Sequence, residues 1–304
     1  CLEPHVWLIT ETNVPHAENI SYFGDGGDEA QLVYNFSLPP LLLHAFLKED
    51  VSLLSRWAAT LGPLNDHTTF FNFTASHDGI GVRPLEGLVP SEDIAAIIKA
   101  VKASGGDVSY KRDPDGTNSP YELNITYVDA VRGSGAGGDE MHARRFLATQ
   151  SIALVLPGVP GIYIQSLLGS RNWYEGVALT GRARSINREK LDADGLVQEI
   201  EDPETFRSRV FTAYTAMVVV RRAQSAFHPK AGFKVLSIDS DVFAIVRSSQ
   251  DQTVVALTNV TSRDVEVDIG TATTGPTRDL LSKRLFASRK VTMAPYEVLW
   301  LTIA

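Results

Sequence analysis

The sequence predicts an α/β protein, parallel βα units followed by an antiparallel β region, and three observations carry that prediction. Short continuous apolar runs that end in polar loops alternate with segments of helical apolar spacing. Polar or acidic groups stand where the apolar runs stop, as at Glu11 and at His77-Asp78. After about Ser225 the texture changes to short alternating or β-branched segments separated by turn residues. A chain of 304 residues accommodates one large domain or two ordinary ones. The division is placed between residues 1–225 and 226–304.

Taken in order, residues 5–10 (His-Val-Trp-Leu-Ile-Thr) read as a strand buried on both faces, ending at Glu11 in a polar loop over 12–28. Residues 31–36 are a second strand, running into a loop with Pro39-Pro40. Helical spacing recurs over 41–47 and 51–61. Residues 69–75 form a third strand, which delivers Ser76-His77-Asp78-Gly79 at its C-terminal end. A long excursion covers about 79–138. It holds an amphipathic helix over 91–103 with Ser91 as N-cap, a turn-rich loop over 111–120 and a Gly-rich connection over 133–138. A strong helix over 140–156 is stopped by Pro157-Gly158-Val159-Pro160-Gly161, and Ile162 to Ile164 are a fourth short strand. Beyond 225, strands are expected at 233–236, 242–247, 253–259, 265–269 and 298–303.

The bulk properties exclude several classes. With 44% hydrophobic and 21% charged residues the composition is that of a globular protein. A net charge of -8 argues against a nucleic-acid surface, which needs clustered Lys and Arg. No apolar run reaches the roughly 20 residues that cross a bilayer, so no membrane partner is expected. The single cysteine, Cys1, forms no disulfide within the chain, and a cytoplasmic location is the expectation. Asn72-Phe73-Thr74 reads as a chance glycosylation triplet. The first residue is Cys rather than Met, and a strand begins within a few residues of it, so a truncated chain is expected.

Glu11, His77-Asp78 and the loop over 165–171 all stand at the C-terminal ends of expected parallel strands, where α/β barrels build active sites. One strand-end carboxylate serves equally well as a helix cap or loop anchor. Two facing one crevice suit glycoside chemistry, in which an acid protonates the leaving oxygen while another carboxylate meets the developing oxocarbenium ion. A lone His77 would read as a core histidine; beside Asp78 its imidazole can hydrogen-bond a sugar hydroxyl. The histidines and carboxylates do not stand at metal-ligand spacing, and no glycine-rich phosphate loop appears.

At these residues the sequence resembles a known family. Residues 10–16 (Thr-Glu-Thr-Asn-Val-Pro-His) with 18–24 look like the acid/base segment of the sucrose phosphorylase subfamily of α-amylase-type enzymes, glycoside hydrolase family 13. Residues 75–81 resemble the segment of its transition-state-stabilising Asp, and 158–163 and 181–188 match as well. The resemblance implies the C-terminal half of a (β/α)8 barrel, strands five to eight, followed by a small antiparallel β domain. It implies Glu11 as general acid/base, Asp78 as the transition-state carboxylate, His77 on the same glucosyl ring, and Arg184 near phosphate and acceptor. A guanidinium suits phosphate because its fork donates parallel hydrogen bonds; the bland alternative for Arg182, Arg184 and Arg188 is a solvated basic loop. Tyr121 and Glu122 fall in the segment resembling the acceptor loop, where Glu122 stands in place of a neutral Gln. The wording of the acid/base segment is closer to relatives acting on glucosylglycerate, glucosylglycerol or sucrose 6'-phosphate.

The family's nucleophile, an Asp in an Arg-x-Asp context, should precede Glu11, yet none of the ten residues before Glu11 is Asp. The expectation is therefore part of a retaining α-glucoside phosphorylase, inactive alone. Its partners would be a small-molecule α-glucoside and inorganic phosphate, with no cofactor, and a homodimer is admitted. The rivals are a hydrolase or transglycosylase of the same fold and a non-catalytic carbohydrate-binding remnant.

Overall fold

The computed structural model describes residues 6–25, 28–62, 65–133, 137–270, 272–273 and 275–303. The first run of elements is β1 (Ile9–Thr10), α1 (His16–Ser21), β2 (Leu32–Tyr34), α2 (Leu38–Lys48), α3 (Ser52–Ala58) and β3 (Thr69–Phe73). An excursion follows, with β4 (Ile80–Gly81), α4 (Ser91–Ala103), β5 (Asp107–Arg112), β6 (Asn118–Asn124) and α5 (Tyr127–Ala130). The chain then returns through α6 (Gly138–Val155) and β7 (Val159–Gly161) to α7 (Ile164–Leu167), α8 (Tyr174–Thr180), α9 (Ala193–Glu201) and α10 (Phe206–Arg222). The remainder is β8 (Gly232–Leu236), β9 (Val242–Ser248), β10 (Thr253–Asn259), β11 (Val265–Asp268), β12 (Thr277–Asp279), β13 (Leu285–Phe286), β14 (Lys290–Met293) and β15 (Val298–Ile303).

Strands β1, β2, β3 and β7 form one parallel sheet in chain order, with Thr10 opposite Val33, Val33 opposite Phe70 and Asn72 opposite Pro160. The helices between them supply the crossovers that parallel strands require. Buried amides link the strand ends: Asn35 Nδ2 donates to Asn72 Oδ1 (3.0 Å), and Asn72 Nδ2 donates to the Pro157 carbonyl (3.0 Å). Asn72, fully buried, is thus a packing residue and no glycan acceptor. The excursion folds into a small antiparallel sheet ordered β4-β6-β5.

Beyond α10, six strands pair in the order β13-β12-β15-β10-β9-β8, while β11 and β14 form a separate pair. The sheet alternates with period two and buries both faces. Phe243, Ile245, Val254, Ala256 and Trp300 join a core that continues through α6 and α2. Val242, Ala244, Val255, Leu257 and Leu301 point the other way, onto Val267, Val291 and Met293 of the β11–β14 pair. Trp300 Nε1 donates to Ser151 Oγ at 3.1 Å, tying β15 to α6. Arg221 Nε donates to the Leu154 carbonyl and Arg247 Nη1 to the Val155 carbonyl, both at 2.7 Å. These bonds satisfy carbonyls that the end of α6 leaves without helical partners. Burial pushes the Arg247 pKa down to about 10, with the Arg221 charge adding to it.

Several expectations from the sequence need correction. Among the described residues, the strand expected over 5–10 spans only Ile9–Thr10, and Val6 to Ile9 are exposed rather than buried on both faces, because β1 pairs there with β2 alone. Pro39 and Pro40 open α2 instead of lying in a loop; a helix's first turn tolerates Pro, since its amides have no helical acceptor. Ser91 is the first residue of α4 and Pro90 its cap, with no side-chain capping bond. The expected loop over 111–120 is most of a hairpin. Its Asp-Pro-Asp-Gly turn closes by Asp113 N donating to the Thr117 carbonyl (2.8 Å), with Gly116 at φ 86. The fourth parallel strand is Val159–Gly161, not Ile162 to Ile164, and Ile164 begins α7. Strands β12, β13 and β14 were not expected. Part of the Gly-rich connection, and His5 and Cys1, lie outside the described residues.

Candidate active site

The C-terminal ends of β1 and β3 open onto one cleft of about 300 Å³, bordered by Glu11, Asn13, Phe36, His77, Asp78, Gly79, Gly81, Tyr121, Glu122 and Arg184. All six residues singled out in the sequence therefore meet there, although they lie up to 173 positions apart in the chain. Glu11 follows β1 directly, and His77 and Asp78 follow β3. Tyr121 and Glu122 come from β6, which reaches the cleft because β4 pairs with it, Gly81 opposite Glu122. Glycine is required at this junction. A Cβ on Gly79 would stand 2.5 Å from the Leu123 carbonyl oxygen and 2.6 Å from Glu122 Cγ.

Arg184 sits in a short 3-10 turn, Ala183–Asn187, and organises the cleft's charge. Its Nε donates to Glu122 Oε1 (2.9 Å) and its Nη2 to Glu122 Oε2 (2.7 Å), a side-on bidentate pair. Its Nη1 donates to Asp78 Oδ1 at 2.7 Å. The Glu122 hydrogen bond is the main reason the Arg184 pKa is raised. Arg188 reaches the same carboxylate, Nη2 to Asp78 Oδ1 at 3.3 Å, and its Nε donates to the His77 carbonyl at 2.6 Å. Asn187 holds the 3-10 turn against the β3 loop, its Nδ2 donating to the Ser76 (2.6 Å) and Asp78 (3.1 Å) carbonyls. Tyr163 OH in turn donates to the Asn187 carbonyl at 2.8 Å. His77 Nε2 lies 3.6 Å from Asp78 Oδ1, too far for a hydrogen bond, and the imidazole faces solvent.

Aromatic rings underlie the cleft. Phe36, which borders it, packs edge-on to Phe73 at 5.1 Å between centroids, and Tyr34 tilts against Phe71 at 4.6 Å. Burial raises the Tyr34 pKa, and the Glu11 charge raises it further. Asn13, Phe36 and Arg188 were not singled out as site residues by sequence reasoning. Asn13 and Arg188 lie inside matched motifs and Phe36 ends an expected strand, so position was the available signal; nothing local pointed to the pairing of Arg184 with Glu122. Among the described residues no three His, Cys, Asp or Glu side chains gather as ligands of a metal ion would.

Comparison with known proteins decides the relationship. The chain is 48% identical to the glucosylglycerate phosphorylase of Spirochaeta thermophila over 98% of its own length, and 44% identical to that of Escherichia coli over the same share. It is a homologue of the glucosylglycerate phosphorylases. The chain spans about half the length of these relatives, 53% in both cases. No protein-family model matches it. Among solved structures, sucrose 6F-phosphate phosphorylase from Thermoanaerobacter thermosaccharolyticum superposes with a TM-score of 0.69 at 19% identity, over 93% of this chain and 52% of that one. This likeness concerns the fold alone. The chain has the architecture of the C-terminal half of a (β/α)8 barrel followed by a small antiparallel β domain.

Proposed function

We propose that this chain is the C-terminal part of a retaining α-glucoside phosphorylase, which moves a glucosyl group from a glucosylglycerate-like or sucrose-like donor to phosphate. The observation that supports this reading best is one cleft bordered by a strand-end glutamate, Glu11, with no ion-pair partner among the described residues, and a carboxylate, Asp78, held by two guanidiniums. In the proposed reaction an aspartate outside the described cleft attacks the anomeric carbon while Glu11 protonates the departing glycosidic oxygen. A phosphate oxygen then attacks the glucosyl-enzyme carbon and expels the aspartate, and Glu11 takes back the phosphate's proton. Two inversions retain the α configuration and yield α-glucose 1-phosphate. Asp78 and His77 hold the glucosyl ring, Tyr121 borders the acceptor, and Arg184 with Arg188 supplies positive charge for phosphate.

The test joins this chain to the N-terminal half of the Spirochaeta thermophila relative. The chimera is expected to release glycerate from glucosylglycerate only with phosphate present, forming α-glucose 1-phosphate in equal amount. Release of free glucose at the same rate without phosphate would make it a hydrolase, and release of neither product would leave the cleft a binding site.

A further inference from the structure

Arg184 carries five N–H donors, and Glu122 and Asp78 engage three of its nitrogens. Its side-on fork, the edge best shaped for a phosphate or carboxylate, is filled by a carboxylate of the protein itself. Glu122 is almost wholly buried, whereas the Arg184 side chain is 43% exposed. The carboxylate therefore comes up from beneath and the guanidinium faces the cleft. The charge count points the same way. Glu11, Asp78 and Glu122 stand against Arg184 and Arg188, so the cleft carries one excess negative charge and repels an entering anion.

We infer that Glu122 is a resident counter-ion that occupies the anion fork of Arg184 in the empty cleft, and that an oxyanion of the phosphate class binds by taking its place. The inference rests on the proposed role of Arg184 in holding phosphate. Displacement leaves a buried carboxylate without its partner, a cost that every entering anion bears. Glu122 thereby keeps Arg184 drawn over Asp78 between ligands and keeps the cleft from trapping ambient anions. A bridge with a purely structural role would have the opposite consequence, because loosening it would disorder Arg184 and weaken anion binding.

Inorganic phosphate is the probe, titrated calorimetrically into the full chain. Glu122→Gln keeps the side chain's shape and one acceptor oxygen but removes its charge. The variant is expected to bind phosphate about tenfold tighter than the unmodified chain, and adding Arg184→Ala should abolish the gain. Equal or weaker binding by a folded Glu122→Gln chain would overturn the inference. Should that variant fail to fold, the unmodified chain decides. Saturating phosphate should move the 15N signal of the Arg184 Nε–H group, whose acceptor changes, and saturation that leaves this signal in place overturns the inference equally. Neither readout requires turnover. A chimera that phosphorolyses while Glu122→Gln gains no affinity sinks only this inference; tighter binding with phosphate-independent hydrolysis sinks only the phosphorylase reading.

Discussion

The side chains of the cleft divide into two groups by their partners. Asp78 accepts from both Arg184 and Arg188 at Oδ1, and Glu122 is held through both of its oxygens by Arg184, so both carboxylates are engaged in ion pairs. Glu11 is exposed at the rim of the cleft and, among the described residues, takes no hydrogen bond from either guanidinium. That difference supports Glu11 in the acid/base role of the proposed reaction. In the chimera, Glu11→Gln is expected to lower turnover on glucosylglycerate by at least a hundredfold, within the range general acids contribute. With α-glucosyl fluoride, whose leaving group needs no proton, the loss in forming the glucosyl-enzyme should be far smaller. Equal losses on both donors would remove Glu11 from the acid role. Its candidacy was legible in the sequence because a carboxylate ended an apolar run; the commitment of Glu122 to Arg184 was not, since 62 positions separate them.

At the scale of elements, charged side chains join helices that the apolar pattern alone leaves unspecified. Asp93 in the first turn of α4 accepts from Lys48 and from His44 (3.0 Å) of α2. These hydrogen bonds, Lys48 first, hold the Asp93 pKa below its ordinary 3.8. A depressed carboxylate pKa means the folded state binds fewer protons than the unfolded one, so the bridge stabilises above about pH 4 and its contribution disappears as pH falls through the lower folded value. Asp93→Asn is accordingly expected to melt earlier than the unmodified chain at pH 7, with the gap closing as pH falls below the ordinary 3.8 and through the lower folded value. A gap that persists unchanged in acid would assign the loss to packing instead. The spacing of 91–103 announced α4, but an acidic first turn reads in sequence as dipole compensation, and only the packing of α2 beside it turns Asp93 into a bridge. The β5–β6 hairpin was missed for a related reason. Its turn chemistry was plain, while its strands, largely polar and exposed along β5, carry little apolar alternation.

For the molecule as a whole, the two sheets are protected unequally. The six-stranded sheet is covered on both faces, by α6 and its neighbours on one side and by the β11–β14 pair on the other. In the parallel sheet β1 and β7 each have one partner among the described residues. Ile9 in β1 is 51% exposed and Trp7 just before it 65%. An apolar edge with unpaired backbone groups is a template for another strand. Sedimentation velocity should therefore show this chain associating as its concentration rises, and the double variant Trp7→Lys/Ile9→Lys should suppress the association while shifting stability by no more than about 0.5 kcal/mol. A chain that stays monomeric without the substitutions would contradict this.

What the sequence determined by itself was the grammar: parallel strands alternating with helices, an antiparallel β texture beyond about 225, and which strand ends carry Glu11, His77 and Asp78. Those features are local, because apolar periodicity and turn chemistry act over a few residues. The tertiary structure alone decided which charges meet. Asp78 and Arg184 are 106 positions apart, and Glu122 reaches Arg184 only because β6 pairs with β4 at a glycine. An ion pair depends on distance in space, and sequence patterns carry no record of that distance until the strands have been brought into register.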